Sequence, residues 1–332
     1  MMQTQKNVQS NIQSSSNVFN LRLLSSQRSA HFFLLFSNFI WGITPIFVEV
    51  VLEYLTPLQT TTLRFGVAVL VLSLVILFIK GRNGFSMLSE KTIILLGWFD
   101  ALGYLAATIG QDITTPGIAT LLASFYVFIV PFIAWKLEGT KLNWRIVVIG
   151  VISLLGIFLI CFDGNWANFT GSSIHGTFIL MFSAVMWGFY TVITGKFLNI
   201  ASTEGKKVDL MSFTYASLFH TFLALVTVSL VFGDISLTSL EGIFLPKLLE
   251  VILFLVFLGI FPTIIALGLW NWAITRLGSI KTSFYQLLQV IIPFILEFAF
   301  LQQFYSGWIY TGILLILIST LWINKNADHS IE

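Results

Sequence analysis

Residues 91–112 read KTIILLGWFDALGYLAATIGQD: a lysine, a long apolar stretch with one internal charge (Asp100), and then an acid. A helix crossing a hydrocarbon core of ~30 Å needs about 20 apolar residues, so this stretch has the length and composition of a membrane span. On the same ruler the spans fall at roughly 30–52, 58–80, 92–111, 115–136, 145–163, 174–196, 210–233, 248–275, 280–303 and 306–324. Short alternating segments, the mark of a membrane β-barrel, are not what the sequence offers. The eighth span is overlong and is expected to tilt or to extend past the bilayer.

Lysines and arginines alternate from gap to gap. Lys6, Arg22 and Arg28 precede the first span; Lys80, Arg82 and Lys91 follow the second; Lys136, Lys141 and Arg145 follow the fourth. Lys196, Lys206 and Lys207, then Arg276 and Lys281, and finally Lys325 continue the series. The gaps between hold Lys247 with Glu53, Asp112, Asp163, Asp234 and Glu241. Positive charge stays on the cytoplasmic side during insertion, which predicts cytoplasmic N- and C-termini.

The stretch 91–112 has a second copy. Leu96-Gly97-Trp98-Phe99 recurs as Leu258-Gly259-Ile260-Phe261, and Pro131-Phe132-Ile133 as Pro293-Phe294-Ile295. Gly97 and Gly259, Pro131 and Pro293, and Gly150 and Gly312 are each 162 residues apart. Ser37…Trp41-Gly42 recurs at a shorter offset as Ser183…Trp187-Gly188. Five spans per unit is an odd number, so the second unit enters the membrane from the opposite side. The expected fold is therefore an all-α polytopic membrane protein with ten transmembrane helices in two inverted five-helix repeats, residues 30–165 and 173–325. Residues 326–332 form a cytoplasmic tail. Such repeats can open a central site to each face in turn.

Composition agrees. Hydrophobic residues make up 57% and charged residues 10% of the chain, against about 25% charged in soluble domains. The net charge of +2 is spread over short loops and does not suit nucleic acid. One cysteine, Cys161, excludes an intrachain disulfide and a cysteine-cluster metal site. Residues 1–29 are rich in Ser, Asn and Gln, basic and without acid. They read as a disordered cytoplasmic tail, with a targeting segment as the other reading. Asn168-Phe169-Thr170 fits a glycosylation acceptor, a short pattern of little weight.

Trp41-Gly42 with Pro45, Thr62-Leu63-Arg64-Phe65, and Ala119-Thr120-Leu121-Leu122-Ala123-Ser124, taken in order with Gly150 and Gly312, resemble the drug/metabolite transporter superfamily in its ten-helix EamA-like branch. The resemblance covers about residues 30–325. It departs at Gly139-Thr140-Lys141 and Gln302-Gln303, where family members often carry Gly-Glu and a basic residue; Glu138 lies close by but out of register. The resemblance implies transport of a small organic solute, commonly an amino acid or related metabolite, without ATP hydrolysis.

Charge inside hydrocarbon costs about 2.5–3.5 kcal/mol at a helix centre, so each such residue needs a reason. Asp100 lies near the middle of the third span. A carboxylate in low dielectric can exchange a proton near neutral pH or meet a cationic solute; the competing role is tight packing alone. His220, mid-span in the seventh, suits a proton relay or a structural bond to a backbone carbonyl. Arg64 could bind a carboxylate bidentately, pair with Glu49 or Glu297, or snorkel outward. Trp41, Trp98 and Trp187 lie at mid-depth and could stack on a solute, joined at cavity-prone depths by Tyr104, Tyr126, Tyr190, Trp270 and Tyr285. Gln286 and Gln289 share one face of the ninth span, opposite Ser124 and Tyr126 in the fourth. Pro131 and Pro293 are candidate bend points.

The expected function is a secondary transporter in a bacterial inner (plasma) membrane, working by alternating access and driven either by the solute's own gradient or by protons through Asp100. No Walker-type loop is present. No cofactor, metal or catalytic residue is expected. The expected partners are a small-molecule substrate, the lipid bilayer and, for assembly, a second copy of the chain. A membrane-embedded enzyme and a passive channel are the alternatives; neither the scattered His31, His175, His220 and His329 nor any ring of like charge favours them.

Overall fold

The computed structural model describes residues 27–113, 122–141, 144–165, 174–234, 243–292, 295, 302 and 304–326. Among these residues the regular structure is helical, with no strand. The helices are α1 (Gln27–Leu52), α2 (Pro57–Lys80), α3 (Lys91–Ile113), α4 (Tyr126–Glu138) and α5 (Trp144–Phe162). They continue as α6 (Ile174–Thr203), α7 (Leu210–Phe232), α8 (Leu245–Leu258), α9 (Leu267–Tyr285) and α10 (Gly307–Asn326). Seven helical stretches are long and apolar enough to cross a bilayer, and the chain is an integral membrane protein. The N-terminal tail, Glu297 and Pro293 lie outside the described residues.

The overlong eighth span has a physical explanation. Residues 245–285 form one run of 41 residues. It carries a π-helical turn over Gly259–Ala266 and one non-helical residue, Gly278 (φ 76°, ψ 168°). Glycine tolerates positive φ, so the chain turns at Gly278 without a loop. The wide turn contains Pro262, which has no N–H to donate. Two other helices serve it. Trp41 Nε1 donates to the Pro262 carbonyl at 3.0 Å, and Arg64 Nε donates to Thr263 Oγ1 at 2.7 Å.

α2 and α7 run antiparallel and are fastened at both ends. At one end Thr56 caps α2, and Gln59 completes a capping box. The Thr56 hydroxyl (2.5 Å) and the Gln59 amide (2.8 Å) both donate to Asp234, just past α7. At the other end Asp209 caps α7 through the Ser212 N–H and pairs with Lys80, the last residue of α2. Burial pushes the Asp209 carboxyl up, but the Lys80 ammonium and the Ser212 donors outweigh it and hold it below its ordinary value. A depressed carboxylate stabilises the fold above its unfolded value of about 4 and loses that contribution as pH falls through the lower folded value. Asp209→Ala is expected to cost about 1 kcal/mol, with the difference from wild type shrinking in melts below about pH 4. An unchanged difference at low pH would contradict the assignment.

Glycines mark the close crossings. A Cβ on Gly156 would lie 2.8 Å from the Gly312 carbonyl oxygen, so the α5 and α10 backbones touch. α3 packs antiparallel on α6, with Gly103 against Trp187 and Gly110 against Leu180. Gly97 seats α3 on α7 at His220 and Thr221, and Gly259 seats the π-helical turn on α2 at Arg64 and Val67. Gly42 of α1 meets Gln289 and Ile292, and Gly188 of α6 meets Ile129 and Ile133 of α4.

The helix before α4 is interrupted at Ser124-Phe125, and the chain after α9 is interrupted at Gln286-Leu287. Both interruptions carry tight i→i−3 bonds: Val127 N to Ser124 O at 3.2 Å, and Gln289 N to Gln286 O at 3.2 Å. They fall seven residues before Pro131 and Pro293 respectively.

Candidate functional site

A cavity of about 570 Å³ opens where these helices meet. It is lined by α1 (Trp41, Thr44, Val48), α2 (Arg64), α3 (Asp100, Tyr104, Thr108, Gln111) and the start of α4 (Ala123, Tyr126). α5 contributes Cys161, α6 Leu180, Trp187, Tyr190 and Thr191, α9 Trp270, and the interrupted segment Gln286 and Gln289. The lining therefore runs from mid-helix to the ends of α1, α3 and α5. At the opposite end the helices are tied together. Ser279 Oγ donates to Glu138 at 3.0 Å, linking the Gly278 turn to α4. His31 Nδ1 lies 2.5 Å from the Tyr285 hydroxyl, linking α1 to α9.

Asp100 is 1% exposed and has the Thr221 hydroxyl 3.2 Å from Oδ2. Arg64 is 5% exposed. Its guanidinium stacks over Tyr104 at 4.8 Å, and one terminal nitrogen has no hydrogen-bond partner among the described residues. The two line one cavity without forming an ion pair with each other. Both are buried, and the unpartnered Arg64 nitrogen is a costly state that a ligand acceptor would relieve.

Aromatic rings surround the charges. Tyr104 meets Trp187 edge-on at 5.1 Å, and Trp41 meets Trp270 edge-on at 5.1 Å. Tyr126 and Thr191 hydroxyls are 2.5 Å apart. Tyr190 donates to Asn271 at 3.2 Å, and Asn271 donates to Thr214 at 3.3 Å. These bonds fix the two tyrosine rings in the cavity wall.

Trp41, Asp100, Tyr126, Trp187, Gln286 and Gln289 come together in the cavity; Trp98 does not, and this is a correction. Asp100, Tyr104, Thr108 and Gln111 follow a helical spacing of three to four residues along one face. Trp98 is two residues from Asp100, about 200° around the helix, and is 39% exposed on the lipid side. His220 also lies outside the lining, with Nε2 2.8 Å from the Leu88 carbonyl oxygen. Arg64 is met by Thr263 and Tyr104; Glu49, one of the two acids considered as its partner, is exposed. Pro131 is buried within α4. Thr108, Gln111, Cys161, Thr191 and Asn271 were not among the sequence candidates. The first two lie about two and three turns beyond Asp100 on its face, a signal the sequence did contain.

The profile of the EamA-like transporter family matches residues 28–162 and 174–325. An uncharacterized transporter of Archaeoglobus fulgidus is 24% identical over 86% of this chain and 82% of its own length. An uncharacterized transporter of Bacillus subtilis, YcxC, is 22% identical over 91% of this chain and 95% of its own length. The thiamine-repressible mitochondrial transport protein THI74 of Saccharomyces cerevisiae is 23% identical over 71% of this chain and 62% of its own length. A solved crystal structure superposes with a TM-score of 0.68 over 92% of this chain and 99% of that one, at 16% identity, a likeness of fold. With a membrane-embedded helical fold and a match along nearly its whole length, the chain belongs to the EamA-like transporter family and is a membrane transporter.

Proposed function

We propose that the protein is a secondary transporter that carries a small organic solute, an amino acid or related metabolite, by alternating access of the central cavity. The observation that carries this reading is the cavity itself: an aromatic-walled space, open at one end, holding a buried acid and a buried base, with lining from both halves of the chain. In this reading Arg64 and Asp100 address opposite charges on the solute, Trp41, Tyr104 and Trp187 cover its apolar body, and Asp100 exchanges the coupled proton.

In this reading the mechanism rests on two inverted five-helix units. Exchanging each span with the one five places on turns the α3–α7 crossing at Gly97 into the α2 crossing at Gly259. It turns the α1 contact at Gly42 into the α4–α6 contact at Gly188, and maps the α5–α10 and α2–α7 pairs onto themselves. The interruptions at Ser124-Phe125 and Gln286-Leu287 are related by the same 162-residue offset as the sequence pairs. Broken helices of this kind expose backbone groups at the midplane for a solute or ion.

With the termini cytoplasmic, the cavity faces outward and the Glu138–Ser279 and His31–Tyr285 contacts close the cytoplasmic end. Cys161 then offers a reporter, being the chain's one cysteine and lying at the outer part of the lining. A membrane-impermeant thiol reagent added outside cells is expected to label Cys161 and block transport, with Cys161→Ser insensitive. Labelling only from the cytoplasmic face would reverse the orientation. The reading as a whole is tested by counterflow of a labelled solute panel in proteoliposomes. Saturable exchange of an unmodified solute is expected; chemical conversion without flux would overturn it.

A further inference from the structure

A second concavity, of about 360 Å³, lies away from the cavity on the lipid-facing side of α1, α2, α7 and the π-helical turn with α9. Phe33 and Trp272 form one wall, edge to face at 5.3 Å. Leu72, Leu210, Met211 and Ile264 form the rest, and Gly268 and Thr214 lie at the floor. A Cβ on Gly268 would find only one atom, Thr214 Cγ2 at 4.0 Å, so the space above it is open. From Ile264 to Trp272 the groove runs about 12 Å along the helix.

One end of this groove is basic. Arg276, one turn beyond Trp272, is exposed and lies over the Trp272 ring at 5.5 Å. Lys207, also exposed, precedes the first turn of α7 at the same end. The nearby acids are engaged: Glu204 by Lys206 at 2.7 Å, and Asp209 by Lys80. The walls are apolar and the mouth is cationic, with an aromatic ring at the boundary. That is the chemistry of a phospholipid with an anionic headgroup rather than of bulk hydrocarbon.

The geometry points to a dedicated site for one anionic phospholipid, with an acyl chain over Gly268 and the headgroup phosphate at Arg276. Packing alone selects no headgroup, because hydrocarbon gains nothing by leaving lipid for an apolar wall except closer contact. Arg276 therefore supplies the selectivity. The floor residue Thr214 accepts from Asn271, which accepts from Tyr190 in the central cavity, so a bound lipid would brace that wall of the cavity. The assignment is independent of which solute is carried.

The test is native mass spectrometry of the detergent-purified full chain titrated with phosphatidylglycerol or with phosphatidylcholine of the same acyl chains. One saturable copy of phosphatidylglycerol is expected, bound about fivefold more tightly than phosphatidylcholine, the equivalent of about 1 kcal/mol for one cation. Arg276→Gln, a surface change, should erase that preference, while Arg82→Gln should leave it intact. Gly268→Leu fills the groove and should remove the saturable copy. Equal affinity for the two lipids in wild type, or a preference that survives Arg276→Gln, would overturn the site; so would a folded Gly268→Leu that binds as wild type does.

Discussion

Asp100→Asn is expected to cut solute counterflow in proteoliposomes about 10- to 100-fold, the scale of losing one buried charge-assisted contact, and to abolish net flux driven by a pH gradient. The protein should remain folded, since the amide keeps an oxygen for the Thr221 hydroxyl at its present 3.2 Å. The size of the effect follows from isolation. Asp100 is buried at the floor of the cavity, so water and neighbouring ion pairs offer little substitute. Normal counterflow with lost pH-driven flux would assign Asp100 to the proton alone. If both survive the substitution, Asp100 has no part in binding or coupling.

The second large effect concerns the crossing that holds Asp100 in place. Gly97→Ala is expected to destabilise the protein by about 3 kcal/mol, at the upper end of overpacking costs. The new Cβ would lie 2.4 Å from the His220 Cβ and 2.8 Å from the Thr221 backbone nitrogen. Backbone cannot swing aside as a side-chain tip can, so α3 and α7 must separate. Thr221 would move with α7, away from Asp100. Gly259→Ala meets the Val67 side chain at 2.7 Å and the Arg64 carbonyl oxygen at 3.1 Å, and should cost less. Thermal unfolding in detergent gives the order; a Gly259 variant weaker than the Gly97 variant would contradict it.

Much of this was legible in the residues. The basic alternation and the apolar lengths mark the membrane helices because insertion responds to those two quantities. The 162-residue offset could be seen because glycine and proline recur where backbones touch or bend: Gly97 and Gly259 both sit at crossings in space. Asp100, Trp41, Trp187, Gln286 and Gln289 could be singled out because polarity and rings at mid-depth are unusual. Trp98 shows the limit. Depth is readable from position along a span, but the face a residue presents depends on neighbours, and Trp98 shares its depth with Asp100 while facing lipid. The Arg64 contacts were hidden for a related reason. Thr263, which meets Arg64, lies within the π-helical turn at Gly259–Ala266, and no local pattern announces that turn. Glu138 and Ser279 are 141 residues apart, a pairing only the assembled bundle reveals.

Side-resolved thiol labelling tests the central claim most directly. Two single-cysteine proteins are compared in sealed vesicles, one with the native Cys161 and one with Ser279→Cys in a Cys161→Ser background. Reciprocal accessibility is expected: conditions or solutes that protect Cys161 from an external reagent should expose residue 279 to a cytoplasmic one, and the reverse. Labelling of both sites from a single face, or simultaneous labelling from both faces whatever the solute, would contradict a cavity that opens to one side at a time.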